Sequence, residues 1–227
     1  MKMKSESSRI IGLQSKLAKK SQNDPKHSFK DLTNLLGTPD WLTFALESVL
    51  RNTGGVTPGI DGIARKHFRD KSGTISVKKT LQYAEELRQK IRNGNYKPSP
   101  VKRVYIPKPN GKRRPLGIPT IEDRTVQMLL KMILEPIFES DFHDRSYGFR
   151  PGRNPIQPLY WLRQTLTGLA KKRWVIEGDM ASYFDTVNHQ KLLQFMTRRI
   201  RDNKIIKILK EQLKAGGNGK WSGSHHQ

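Results

Sequence analysis

Two aspartates, Asp179 and Asp185, bracket the stretch of this chain best suited to carry chemistry: Val175-Ile176-Glu177-Gly178-Asp179-Met180-Ala181-Ser182-Tyr183-Phe184-Asp185. An apolar-flanked run ending in an aspartate reads as a short buried strand with a carboxylate at its tip. A carboxylate so placed can hold Mg²⁺, which takes oxygen ligands, usually one or two protein carboxylates with phosphates and water. The same residues also read as a strand ending in a turn capped by Asp179, with Asp185 capping the segment after it. The motif alone does not choose between the two.

A second group is cationic. From Arg88 to Ile121 there is no acidic residue, while Arg88, Lys90, Arg92, Lys97, Lys102, Arg103, Lys108, Lys112, Arg113 and Arg114 are basic. A charge run is often a solvated face. Here it coincides with a predicted β-hairpin, Val101 to Lys108 and Lys112 to Ile118, whose turn carries Asn110-Gly111, a strong hairpin signal. Such a shaped projection can close over phosphates, Arg with a planar fork and Lys with a compact charge. Lys102, Arg103, Lys112 and Arg113 are therefore candidate RNA-phosphate ligands. Phe149, Arg150 and Arg153 form a further cluster, in the loop Ser146 to Asn154. An aromatic beside arginine can stack on a base and pin a backbone phosphate. Alternatively Phe149 plugs the core and Arg150 pairs with Asp141 or Asp144. The loop from Gly54 to Gly62 lacks the lysine and Ser/Thr of a nucleotide-binding P-loop. Its glycines permit close approach to a ligand, or it is a mobile surface loop.

The whole composition agrees with a polyanionic partner. The 227 residues hold 43 Lys+Arg against 20 Asp+Glu, a formal charge of +23, so nucleic acid leads and an anionic membrane surface comes second. No apolar run approaches the ~20 residues of a membrane-spanning helix. The first residues lack the apolar core of a secretion signal. The absence of cysteine excludes disulfides and thiolate metal sites and fits a cytoplasmic home.

Periodicity places the elements that must position these groups. Residues 1–38 read as a flexible basic arm or a loosely docked helix near Ile10 to Leu17. Helices are predicted from Pro39 to Leu50, through Trp41, Leu42, Ala45, Leu46, Val49 and Leu50, and from Val77 to Asn93, with Leu81, Ala84, Leu87 and Ile91 inward. Thr120 caps a helix with Val126, Leu129, Leu130, Ile133 and Ile137 inside and Asp123 as capping partner. Further helices run through Leu159, Leu162, Leu166 and Leu169, then from Asn188 to Arg199, then through Ile205, Ile208, Leu209 and Leu213. Residues 216–227 read as a disordered tail. The class is α+β with helices dominant.

Taken in order, these motifs resemble a known family. They are Gly59-Ile60-Asp61-Gly62; Tyr96-Lys97-Pro98; Val104 through Pro119; Asp123-Arg124 with Gln127; Tyr147 through Arg153; and Gly178-Asp179 through Phe184-Asp185 with Asn188-His189. Over roughly residues 50 to 215 the chain is similar to the N-terminal part of group II intron-encoded reverse transcriptase/maturases.

The resemblance implies helix-rich fingers over 39–170, including an N-terminal extension loop in which Gly59 and Asp61 meet RNA. It also implies the start of a right-hand polymerase palm over 171–215. By the same resemblance Asp179 is a catalytic metal ligand and Met180 lends its carbonyl to the ion. Lys108 and Arg114 grip the incoming deoxynucleoside triphosphate, and Phe184 crowds a ribose 2′-hydroxyl. Asp185 belongs to the pattern as a structural residue. The implied full-length enzyme copies RNA into DNA with Mg²⁺, assists intron splicing and supports retrotransposition. Its partners are intron RNA, template-primer and deoxynucleotides.

The family's paired aspartates farther along have no counterpart in these 227 residues, so this chain is expected not to polymerise alone. Uncovered apolar surface would then favour a homodimer. The alternatives are a non-catalytic, maturase-type RNA-binding module and an unrelated basic RNA-binding protein. Failure of the palm strand to appear would favour the last.

Overall fold

The computed structural model describes residues 2–107, 109, 111, 113–168, 174–180 and 183–215, without the side chains of 2–7, 184 and 185. The fold is α+β, with helices dominant and one two-stranded sheet among the described residues. In chain order the helices are α1 (Lys2–Asn23), α2 (Thr33–Leu36), α3 (Pro39–Arg51) and α4 (Val77–Arg92). After strands β1 (Lys102–Pro107) and β2 (Arg113–Ile118) come α5 (Ile121–Phe138), α6 (Ile156–Thr167), α7 (Tyr183–Thr186), α8 (His189–Met196) and α9 (Asn203–Lys214).

Helix α5 is the axis of the core. Its apolar stripe, Val126, Leu129, Leu130, Ile133 and Ile137, is buried as expected and packs against α3 and α1. Helix α3 presents the six anticipated residues, all buried, and α4 closes the other side of α3 with Ala84, Leu87 and Ile91. Leu81 departs from its expected place: it is half exposed, and Thr80 is buried instead, its hydroxyl donating to Ser76 O (2.9 Å). A buried threonine is tolerated because that internal bond satisfies its only polar group. Gly94 ends α4 at φ 71°, the left-handed conformation that favours glycine.

Residues 1–38 are not a loose arm. Ile10, Phe29, Leu32 and Leu36 enter the core, and α1 is tied to α5 by polar bonds whose cause lies in α5 itself. Pro136 sits inside that helix and lacks an N–H, so the carbonyl of Met132, four residues earlier, loses its helical partner. Gln14 Nε2 of α1 donates to it at 2.9 Å. One turn on, Ser21 Oγ donates to Ile137 O (2.7 Å).

The chain also returns to its beginning. Phe29 N donates to Arg199 O (2.7 Å) and Arg201 N to Phe29 O (2.8 Å). Buried Arg199 donates to Pro25 O and Ser21 Oγ, and its Nε lies 3.3 Å from Asp141 Oδ2. Asp202 caps α9 through Lys204 N and Ile205 N and accepts Thr33 N (2.7 Å) and Oγ1 (2.6 Å).

Two expectations fail between these closures. No described apolar residue from 138 to 198 is buried, so Leu159, Leu162 and Leu166 of α6 have no inner face. The strand expected to carry Asp179 is absent too. Residues 174–180 form no strand, and Trp174, Val175 and Ile176 stand exposed, Ile176 at 97%. A strand needs a neighbour to take its backbone hydrogen bonds, and none of the described residues supplies one. Leu169 and the tail 216–227 lie outside the described residues.

Candidate nucleic-acid interface

The hairpin pairs antiparallel in the register Lys102↔Ile118, Arg103↔Gly117, Val104↔Leu116, Tyr105↔Pro115, Ile106↔Arg114 and Pro107↔Arg113. Directly opposed residues share a face, and successive residues alternate. Lys102 and Arg114 therefore lie on one face with Val104, Ile106 and Leu116. Arg103 and Arg113 lie on the other with Tyr105. All four cations are exposed, as are Tyr105, Ile106 and Leu116. Sequence groups these charges into one projection; register splits them into two faces. Lys108 and Lys112, at the turn, lie outside the described residues.

The roots of the hairpin are held by α5. Thr120 caps that helix by accepting Asp123 N (3.0 Å), and Asp123 Oδ2 in turn accepts Thr120 Oγ1 (2.7 Å). This is the expected cap, but Asp123 does more. It accepts Ser99 N (3.1 Å) ahead of β1 and the Tyr96 hydroxyl (2.8 Å). Burial, reinforced by the charge of Asp123, pushes the Tyr96 pKa far above its ordinary value, so the hydroxyl remains a donor.

The neighbouring Arg124 holds the glycine loop. Its Nη1 donates to Gly54 O and its Nη2 to Thr57 O, both at 2.6 Å. Arg65 holds the same loop by donating to Leu50 O and Asn52 O. Gly59, expected at RNA, is buried against the hairpin root: a Cβ there would stand 2.7 Å from Thr120 Cα. That packing accounts for its glycine identity. Asp61 is exposed and accepts Ile63 N (3.0 Å), making a local turn.

The loop 146–154 resolves differently from either alternative. Arg150 is almost wholly buried. Its Nε and Nη2 donate to Glu139 Oε1 (3.0 and 2.8 Å), and its Nη1 donates to the carbonyls of His143 and Ser146, each at 2.7 Å. Those bonds occupy four of its five N–H groups and leave no fork for a phosphate; the carboxylate it pairs with is Glu139, not Asp141 or Asp144. The clamp rigidifies the loop that presents Phe149, which is fully exposed at φ 57° and does not plug the core. A bulky residue in the left-handed region is strained, and such strain gathers where a side chain must be displayed. Arg153 lies 5.8 Å from the Tyr147 ring and 3.8 Å from Asp144 Oδ1. Arg145, which no sequence motif singles out, lies 5.6 Å from the Trp161 ring of α6. With Arg150 over Phe142 at 5.3 Å, three cation–aromatic pairs involve arginines of residues 145–153.

Asp179 and Met180 are exposed. The side chains of Phe184 and Asp185 lie outside the described residues. Among the described residues no three His, Asp or Glu gather to hold a metal. No described helix is long and apolar enough to cross a membrane.

The described residues thus form a helical platform that carries a cationic hairpin and a displayed aromatic loop. Residues 106–226 match the model of the reverse transcriptase (RNA-dependent DNA polymerase) family. The chain belongs to that family. It is 42% identical to Protein YkfC of Escherichia coli over 209 residues, 91% of this chain and 53% of that protein. It is 34% identical over 207 residues to the group II intron-encoded protein LtrA of Lactococcus lactis, again 91% of this chain but 32% of LtrA. Nuclear intron maturase 1 of Arabidopsis thaliana is 26% identical over 204 residues, 86% of this chain and 28% of that protein. The chain thus spans about half of one relative and about a third of another. Similarity to group II intron-encoded proteins extends over most of its length, and this outweighs the missing palm strand in deciding against an unrelated basic protein.

Proposed function

We propose that this chain is the RNA-gripping fingers part, with the beginning of the palm, of a group II intron-type reverse transcriptase. The observation that carries this reading is the two-faced hairpin: Arg103, Arg113 and Tyr105 on one face and Lys102 and Arg114 on the other, all exposed on a chain of charge +23. Two cationic faces suit two separate runs of phosphate. The Arg103 face, with an aromatic, suits single-stranded RNA, where bases stack and phosphates are neutralised together. The Arg114 face suits the triphosphate of an incoming deoxynucleotide, the role the family resemblance also gives to Lys108. Phe149, exposed in the same loop as Arg153, adds a stacking contact.

Asp179 and the Met180 carbonyl are this chain's contribution to Mg²⁺, and Phe184 is the residue set against a ribose 2′-hydroxyl. The ion, when bound, would help activate a primer hydroxyl and stabilise the leaving pyrophosphate. Splicing assistance and retrotransposition belong to the same reading of the whole protein. A non-catalytic RNA-binding module is the second reading, favoured by the exposed, strandless setting of Asp179.

Salt titration of RNA binding tests the first part. Binding should weaken steeply, log affinity falling by about 0.7 per phosphate contact per log unit of salt. Arg103→Ala with Arg113→Ala should flatten that slope by about one to two contacts. An unchanged slope would remove the hairpin from the interface. Asp179→Ala should leave RNA affinity and the salt slope essentially unchanged, because a carboxylate neutralises no phosphate.

A further inference from the structure

Asp123 meets no phosphate or metal in the reading above; beyond capping α5, it touches both ends of the hairpin. Resting on the reading of that hairpin as the phosphate grip, we propose that Asp123 is its positioning residue: a buried carboxylate fixing both strand roots to α5 and coupling their setting to the docking of α9.

The geometry is specific. Asp123 is 3% exposed. Its Oδ2 holds Ser99 N, three residues before β1, and Thr120 Oγ1, two residues after β2. Its Oδ1 holds the hydroxyl of Tyr96, itself only 7% exposed. Gln212 Nε2 of α9 donates to that same hydroxyl oxygen at 2.6 Å, and Gln127 Nε2 of α5 donates to Gln212 Oε1 at 2.8 Å. The circuit therefore leaves α5 at Gln127, crosses α9, passes through Tyr96 and re-enters α5 at Asp123.

Little else aims the hairpin. The side chains of its two strands are exposed or at most half-buried. Flat packing of Val101 on Gly117, where a Cβ would come within 2.7 Å of Val101 Cγ2, keeps the strands together but does not orient them. Hydrogen bonds to an ionised acceptor are roughly twice as strong as neutral ones, and a carboxylate in the first turn of a helix is further favoured by the helix dipole. Those features make Asp123 a firm pivot. They also explain why one acidic residue stands buried beside a long basic stretch without any ion pair among the described residues.

The chain has no cysteine, so spin labels can be placed at will. Cysteines at Lys19 on α1 and Tyr105 on β1, both exposed, would report the hairpin-to-core distance by double electron–electron resonance. The native distribution should be narrow. Asp123→Asn, which sets an amide N–H against donors, should at least double its width, as should Tyr96→Phe. Gln212→Ala should broaden it less, and Thr120→Ser, which keeps the hydroxyl, should leave it unchanged.

Circular dichroism identifies folded variants. If Asp123→Asn does not fold, Tyr96→Phe and Gln212→Ala decide. Equal widths across the folded variants, including a native distribution already as broad as theirs, would overturn the proposal. The salt slope for a homopolymeric RNA supplies a separate readout, expected to flatten by about one contact in Tyr96→Phe. A native chain that binds no RNA would refute the hairpin's function while the spin-label widths still judge its positioning.

Discussion

Single residues reveal how this protein reconciles a basic sequence with a packed interior. Pro136 breaks the hydrogen-bond ladder of α5, and Gln14 repairs it from another helix. Gln14→Ala should therefore cost about 1 kcal/mol, measured by urea unfolding, although it removes no apolar contact of the core. Arg150 has the sequence context of an RNA ligand and instead holds a carboxylate and two carbonyls. Arg150→Ala leaves those acceptors without their partner and should cost about 2–4 kcal/mol. Loss of RNA affinity without that destabilisation would return Arg150 to the interface.

Asp202 gives a pH dependence. Burial alone would raise its pKa, but bonds from the Thr33 hydroxyl and the N–H groups of Thr33, Ile205 and Lys204 outweigh it, and the value falls below 3.8. A lowered folded-state value stabilises above the unfolded pKa and fades as pH falls through the folded one. Asp202→Asn keeps the cap but sets an amide N–H against Thr33 N, and should thus be less stable than wild type by about 1–2 kcal/mol near neutrality. The gap should narrow as pH drops below about 3.8, a comparison thermal melts at several pH values can make.

At the scale of elements, the hairpin was legible in the sequence and its use of charge was not. Asn110-Gly111 between two short runs announces the turn, but the faces depend on which residues pair. With Ile106 opposite Arg114, neighbouring Arg113 and Arg114 must point to opposite sides. The glycine loop shows the reverse. Its glycines suggested a ligand, while the structure uses Gly59 to let the loop lie on Thr120. Gly59→Ala should cost about 1–3 kcal/mol through overpacking, seen as a lowered melting temperature. RNA affinity at a temperature where both proteins are folded should barely change.

Among the described residues, the regions around Phe29 and Arg199 close on each other, while no apolar side chain from 138 to 198 is buried. Ile200, Ile205 and the bonds of Arg199 and Asp202 bind the last helix to the region of Phe29 and Thr33. Helix α6 meanwhile turns Leu159, Tyr160, Trp161 and Leu162 outward, near exposed Trp174 and Val175 in sequence. An apolar surface of that kind seeks a partner. Self-association is the expected outcome in sedimentation at high salt, where the charge of +23 is screened. Leu159→Lys with Leu162→Lys should return the protein towards monomer.

Amphipathic spacing, capping residues and the hairpin turn are local codes, and they located α3, α4, α5 and the β1–β2 hairpin nearly to the residue. Charge alone also motivates the proposed polyanionic partner, since repulsion of that size is independent of fold. Three-dimensional packing decided the rest. Docking of α1 rests on a carbonyl freed by Pro136 more than a hundred positions away, and the hairpin's aim rests on a carboxylate shared by Ser99, Thr120 and Tyr96. The apolar run before Asp179 looked like a strand because composition marks a segment able to pair. Whether it pairs depends on a neighbouring strand, which no window of local sequence contains.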